Sequence, residues 1–330
     1  MLKPIRCPLR WACAIALSAL LGVEAAAAPA DDYPTRSVRL VVPYPAGSGT
    51  DSVARAIAQS LGEQLGKSIV VDNRPGGGTV IGMDLVAKAR PDGHTLLAAT
   101  TSLVITPGLF PRLPFDPVND FAPIVLLDTA PLLLLASPTR NVKTVRELVA
   151  MARAMPGQLN YASSGNGGAI HLGMELLKSM TGTQITHIPY KGSPAALQAL
   201  LSGAVDVGIN TFSPSVISQV AAGKLHALGV TGLSRLPVLP QVPTIAESGI
   251  PGYEVVSWHG LLAPARTPAS IVKWIEAEAG KVLQEPNVRA ILSAQGFQIE
   301  NRGAALFAAF ISREIAKWTP VVKASGAQVD

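Results

Sequence analysis

Apolar residues over positions 38–99 come in two block lengths, and the blocks alternate. Short runs at 38–42, 68–72 and 95–99 predict buried strands, while longer patterns at 51–65 and 79–88 predict helices. Breaks rich in proline and glycine separate them: first Pro43, Pro45, Gly47 and Gly49, next Pro75-Gly76-Gly77-Gly78, then Pro91-Asp92-Gly93. Strand, break and helix in that order predict a parallel α/β layout. Thr100, Thr101 and Ser102 close the third strand with three hydroxyls, at the carboxyl end where open α/β sheets gather their ligands.

The stretch 107–120 is proline-rich and reads as irregular. Two apolar segments follow, 121–127 and 132–137, and the residues between them, 128–131, read as a crossing between domains. The earlier grammar then repeats: helix 144–155, strand 158–161, loop 162–168, helix 169–180, strand 185–188, helix 193–201, strand 205–210, helix 213–222 and strand 225–231. This predicts a second α/β domain. Beyond it come a strand at 255–258, an apolar segment at 259–263 and two long helices, 268–284 and 304–325. Apolar residues recur at three and four in both helices (Ile271, Ile275, Val282; Phe307, Phe310, Ile311, Ile315, Trp318), which marks packing faces. Neither helix has a ligand corner of its own, so both are placed back on the first domain. The expected organisation is a first domain of 28–128 and 252–330 with a second, 129–251, inserted in it.

The start of the chain has a different character. Lys3, Arg6 and Arg10 precede an apolar run from Trp11 to Val23 that ends in Glu24 and small residues, the pattern of a cleavable secretory signal peptide over 1–27. The run is short for a membrane span. Both cysteines, Cys7 and Cys13, lie inside it, so the mature chain is expected to hold no disulfide or thiolate metal site, and a periplasmic location follows. Removing Lys3, Arg6, Arg10 and Glu24 takes the net charge from +5 to +3, an excess too small and dispersed to call for nucleic acid or another polyanion. With 330 residues, 48% hydrophobic and 15% charged, the chain can build two cores of ordinary size.

Candidate chemistry concentrates at two corners. After the first strand, Tyr44, Ala46, Gly47, Gly49, Thr50 and Asp51 form a shaped loop that turns into a helix; after 158–161, Ser163, Ser164, Asn166, Gly167 and Gly168 do the same. Helix starts carry free N–H groups and a positive dipole end, and glycine lets a ligand approach the backbone. Two such corners without Lys or Arg suggest a cleft that grips a small anion from both sides; the other reading is a pair of ordinary turns, the first capped by Thr50 or Asp51. Asp51 is either structural or a partner for an ammonium group. His171 meets the ligand or packs and caps; Asn210 offers an amide to the cleft or ends its strand; Lys191 is the one cation beside a predicted strand end. Tyr44 and Trp258 line the cleft, with core burial the alternative for Trp258.

Other classes find less support. Neither G-x-G-x-x-G nor the P-loop pattern occurs, and the hydrolase elbow G-x-S-x-G is missing. His94, His171, His187, His226 and His259 are scattered, with no H-x-x-x-H pair, so no metal and no cofactor is expected.

Ordered blocks through nearly the whole mature chain carry a resemblance: YPTRSVRLVVPYPAGSGTDSVAR, VVDNRPGGGTVIGMDLVAKARPDGHTLL, LPFDPVNDFAPI, PGQLNYASSGNGGAIHL, HIPYKGSPAAL, LPQVPTIAESGIPGYEVVSWHGLLAP and FAAFISREIAKWTPVVKASG. They resemble the Bug-type extracytoplasmic solute receptors, the substrate-binding proteins of tripartite tricarboxylate transporters. The resemblance implies a two-lobed periplasmic binding fold of type II with paired crossovers, and no enzyme activity. It implies a monomer that closes on a small carboxylate (a di- or tricarboxylate, an aromatic acid or an amino acid) held by backbone groups and waters. Membrane subunits of a transporter or a sensor kinase would be its partners. A secreted enzyme on the same scaffold is the alternative. Carried over by position, the ligand-binding set is Tyr44, Ala46, Gly47, Gly49, Thr50, Asp51, Thr101, Ser102, Ser163, Ser164, Asn166, Gly167, Gly168 and Asn210. The sequence departs from the common form at Pro45, Ser48 and Asn210, and a neutral Asn210 favours a plain acid over an amino acid. A bulky residue at Gly167 is expected to abolish binding while leaving the unliganded protein's melting point nearly unchanged.

Overall fold

The structure is a computed structural model in which residues 33–327 are described; the segment read as a signal peptide, 1–27, lies outside the described residues. The valine-rich run Val38–Val42 (β1) pairs in parallel with Ile69–Asn73 (β2) on one side and Thr95–Thr100 (β3) on the other. Between β1 and β2 lies the helix Gly49–Leu65 (α1), which buries Val53, Ala54, Ile57, Ala58 and Leu61, a spacing of three and four. Its cap is Ser48, whose hydroxyl accepts the Asp51 N–H, and not Thr50 or Asp51: the helix starts two residues earlier than the sequence suggests because glycine at 49 tolerates the first turn. A 3-10 turn, Gly77–Thr79, leads into Val80–Ala87 (α2).

Two differences from the sequence reading shape the rest. The proline-rich run is not irregular throughout, since Ser102–Leu109 (α3) is helical with Pro107 inside it. Proline cannot donate to the Leu103 carbonyl, and the Thr106 hydroxyl donates to it instead, at 3.2 Å. Secondly, the apolar segments 121–127 and 132–137 are one strand, Phe121–Ala136 (β4), buried from Ile124 onward.

The chain from β4 to the second lobe's end runs through Val145–Ala154 (α4), Asn160–Ser163 (β5), Ala169–Thr181 (α5), Thr186–Pro189 (β6), Ser193–Ser202 (α6), Val207–Thr211 (β7), Pro214–Ala221 (α7) and His226–Val230 (β8). It returns as Val256–Pro264 (β9), Ala269–Val282 (α8), Pro286–Ala294 (α9), Gln298–Gly303 (β10) and Ala304–Ser325 (α10). The sequence reading has neither α9 nor β10: α9 is only nine residues long, and β10 is polar because it is an edge strand.

The strand order is β2-β1-β3-β9-β4-β7-β5-β6, with β10 and β8 also paired to β4. Residues 121–131 of β4 pair with β9, and Leu132 to Ala136 pair with β7 and β8, so a single strand serves both lobes. At the hand-over, Pro131 stands opposite Val256, and β9 passes between the lobes beside β4. One buried cluster, including Leu40, Ile57, Leu96 and Ile275, fills the first lobe; another, including Leu133, Leu200 and Val230, fills part of the second. A third runs through both, from Leu97 and Leu126 by way of Trp258 to Tyr161 and Leu172. The long helix α10 packs on α3 and β4 and also reaches α5, so it braces the two lobes against one shared core.

Candidate functional site

The ends of β1, β3, β5 and β7 converge on a cavity of about 750 Å3. It is lined from the first corner by Tyr44, Ser48, Gly49 and Thr50, from the end of β3 by Thr100, Thr101 and Ser102, and from the second corner by Ser164, Asn166, Gly167, Gly168 and Ala169. The first-turn amides of Gly49 and Thr50 in α1, and of Ala169 and Ile170 in α5, have no carbonyl four residues back within their own helices. Two positive helix ends therefore stand at one chamber.

Nine of the fourteen residues singled out by sequence line this cavity: Tyr44, Gly49, Thr50, Thr101, Ser102, Ser164, Asn166, Gly167 and Gly168. Ala46, Gly47, Asp51, Ser163 and Asn210 are not among its lining residues. The expectation that the glycine loops present free amides needs correction at two positions. Gly47 N–H donates to Asp51 Oδ2 at 2.8 Å, and Gly167 N–H donates to His171 Nδ1 at 3.0 Å. Both loops are tied back by a side chain of the helix they precede.

Asp51 bonds within its own corner. Besides Gly47 it accepts from Arg55 Nε at 2.9 Å and Asn73 Nδ2 at 2.9 Å. Burial alone would raise its pKa; the hydrogen bonds from Arg55, Gly47 and Asn73 outweigh that and hold the carboxyl at about 2. Asn73 also donates to the Tyr44 carbonyl at 3.0 Å, so the same network fixes the loop that carries Tyr44. The Tyr44 hydroxyl meets Thr100 Oγ1 at 3.0 Å, and Thr100 Oγ1 lies 2.9 Å from Ser102 Oγ.

Beneath the second corner lies a buried stack. The His171 and His187 rings are 4.0 Å apart and nearly parallel, with Tyr161 4.8 Å beyond His187. Ser163 Oγ is 2.6 Å from His187 Nε2, while the Tyr161 hydroxyl and Lys178 both donate to Glu175. Burial, aided by the neighbouring His187, lowers the His171 pKa to about 4, and burial lowers that of His187 too. With Nδ1 accepting the Gly167 N–H, His171 works as a neutral cap. Ser163 belongs to this support rather than to the cavity wall.

The residue that sequence reasoning passed over is His259. It lines the cavity, and its Nδ1 donates at 2.9 Å to Oδ1 of the fully buried Asp128, directly opposite it in the β4–β9 pairing. Its Nε2 lies 3.3 Å from Thr50 Oγ1 in the first turn of α1. No spacing rule links 50, 128 and 259; the residue following Trp258 was the one available signal. Trp258 is both buried and part of the cavity wall, so the two readings of it hold together. Among the described residues, Trp258 Nε1, Asn210 Nδ2 and Asp128 Oδ2 are buried without a hydrogen-bond partner. No helix among the described residues is long and apolar enough to cross a membrane.

Comparison with known proteins identifies the family. The sequence pattern of the tripartite tricarboxylate transporter family receptor matches residues 53–327. The protein BugT of Bordetella pertussis is 35% identical over 307 residues, 92% of this chain and 94% of that protein. Two solved structures superpose over most of their length. One is R. palustris Rpa4515 with adipate (37% identity, TM-score 0.74, 90% of this chain and 99% of that one). The other is MatC (Rpa3494) from Rhodopseudomonas palustris with bound malate (34% identity, TM-score 0.72, 88% and 100%). The fold is the two-lobed type II arrangement of periplasmic solute-binding proteins. With the family pattern spanning most of the chain and both helix corners opening on one chamber, this protein belongs to the tripartite tricarboxylate transporter receptor family, the solute-binding receptors that include the Bug proteins.

Proposed function

We propose that the protein captures a small carboxylate between its lobes, holding it with the first-turn amides of α1 and α5 and with the hydroxyls of Thr50, Thr101, Ser102 and Ser164. The single observation that carries this reading is that Gly49, Thr50, Gly168 and Ala169 line one cavity. Adipate in Rpa4515 and malate in MatC support a carboxylate as the ligand class. The lobes are taken as 28–128 with 252–330, and 129–251; β4 and β9 pass between them near Pro131 and Val256. A ligand that touches both corners shifts the lobes toward the closed arrangement in proportion to its preference for that state. The protein acts in the periplasm after removal of 1–27, and delivers its ligand to the membrane subunits of a transporter or to a sensor kinase.

A thermal-shift screen against mono-, di- and tricarboxylates and amino acids tests the reading, since a ligand at a hundred times its Kd stabilises by about 2.7 kcal/mol. A rise in melting temperature with at least one carboxylate, and none with neutral analogues, is the expected result. No rise with any acid would overturn it.

One observation favours a second reading, a secreted hydrolase. Thr50 Oγ1, His259 and Asp128 stand in the order hydroxyl, imidazole, carboxylate. Turnover of an ester of a cavity-sized acid, lost in Thr50→Ala, would establish it; binding without turnover leaves the receptor.

A further inference from the structure

The cavity's chemistry is narrower than "small carboxylate". Among the described residues no Asp, Glu, Lys or Arg lines it, and His259 is its one imidazole. Beside the hydroxyls of Thr106, Thr211, Ser213 and Ser257, its walls carry large apolar side chains: Ile105 and Leu109 from α3, Ile170 from the first turn of α5, and the rings of Phe212, Trp258 and Phe297. Such walls reward an apolar body and penalise each buried ionised group that lacks a partner.

His259 is placed to meet one such group. Asp128 accepts from both the Nδ1 and the backbone N–H of His259, at 2.9 and 3.2 Å, which fixes the ring's tautomer and orientation. The other ring nitrogen, Nε2, is left near Thr50 at the start of α1. The ring's remaining face packs on Phe297, with centroids 4.6 Å apart. The titratable or charged group facing it is Asp128 from β4; α1 contributes Thr50 and the loop before β10 contributes Phe297. A protonated imidazole here would satisfy both the buried Asp128 carboxylate and an anion seated at α1.

We propose that the cavity selects a carboxylate with one ionised group and a ring-sized apolar body, and that His259, oriented by Asp128, is the side chain that meets the ionised group. The inference rests on the receptor reading and sharpens it to an apolar monoanion. The ligand carboxylate sits between the first turns of α1 and α5 with His259 Nε2–H as a further donor, and the ring lies among Phe212, Trp258 and Phe297.

Calorimetry on the full mature protein tests this with benzoate and cyclohexanecarboxylate against succinate and citrate. The apolar monoanions bind about ten- to a hundredfold more tightly than citrate, the cost of leaving buried charges without partners. His259→Gln loses about tenfold in affinity for the monoanions, the worth of one charge-assisted hydrogen bond, and it keeps the wild-type circular dichroism. Asp128→Asn weakens binding in the same direction. Succinate or citrate binding as tightly as benzoate would overturn the selectivity, and an unaltered His259→Gln protein would overturn the histidine's role. If no acid of either kind gave heat, the receptor reading itself would fall.

Discussion

Phe212, just past β7, presses its ring edge against Gly296, just before β10. A methyl group on Gly296 would lie 2.3 Å from Phe212 Cδ1, nearer than real contacts allow. Phe212 belongs to the second lobe and lines the cavity, while Gly296 follows Gln295, another lining residue, in the first. The two halves therefore close on each other at the rim through a contact that requires a residue without a side chain.

Gly296→Ala should break that contact. The position also has φ +80°, where a side chain costs about 1–2 kcal/mol. The expected outcome is a lower melting temperature together with a larger radius of gyration by solution X-ray scattering. Phe212→Ala in the same chain should restore the radius but not the whole stability loss, a non-additivity that marks direct contact.

Gly167→Val is expected to affect more than binding. Gly167 has φ +74°, and a Cβ there would meet Leu109 Cδ1 at 3.1 Å. Its N–H also holds the His171 cap. The expectation from sequence that the unliganded protein would be nearly unaffected is therefore revised. The unliganded form should lose about 1–2 kcal/mol, read by urea unfolding, and a ligand shift of wild-type size would remove the second loop from the site.

Asp51 supplies an acid-dependent component of stability. Its folded pKa of about 2 lies below the ordinary 3.8, so its stabilisation is full above about pH 4 and is lost as pH falls toward 2. Asp51→Asn should cost about 1–3 kcal/mol at pH 7. Between pH 4 and 2 its stability should decline less steeply than wild type; parallel curves would mean that the Arg55 and Asn73 contacts do not act through charge.

His171 works in a higher window. Its folded pKa of about 4 lies below 6.5, so the unfolded chain takes up the proton first. Stability is then full above about pH 6.5 and falls progressively down to about 4. His187 is shifted in the same direction and adds to the slope. His171→Gln should flatten the dependence of melting temperature on pH between 4 and 6.5; an unchanged slope would assign it elsewhere.

The sequence by itself determined the alternation of strands and helices, the two glycine-rich helix corners and the family. These follow from local rules: β-branched runs, glycine breaks and helix periodicity are all readable within a window of a few residues. It did not reveal α3, because Pro107 argues against a helix unless a neighbouring hydroxyl satisfies Leu103, nor the nine-residue α9 or the mostly polar β10. It also left the union of 121–127 and 132–137 into one strand undecided, since that depends on β9 and β7 supplying partners in turn.

Tertiary structure alone decided which polar groups face the cavity. Gly47, Asp51 and Ser163 sit beside lining residues in sequence yet bond inward, and Thr50, Asp128 and His259 are brought together from three distant segments. A side chain's partner depends on strand register and on what packs behind it. Neither quantity is local, so a pattern of residue types along the chain locates the chamber but not the groups that read its occupant.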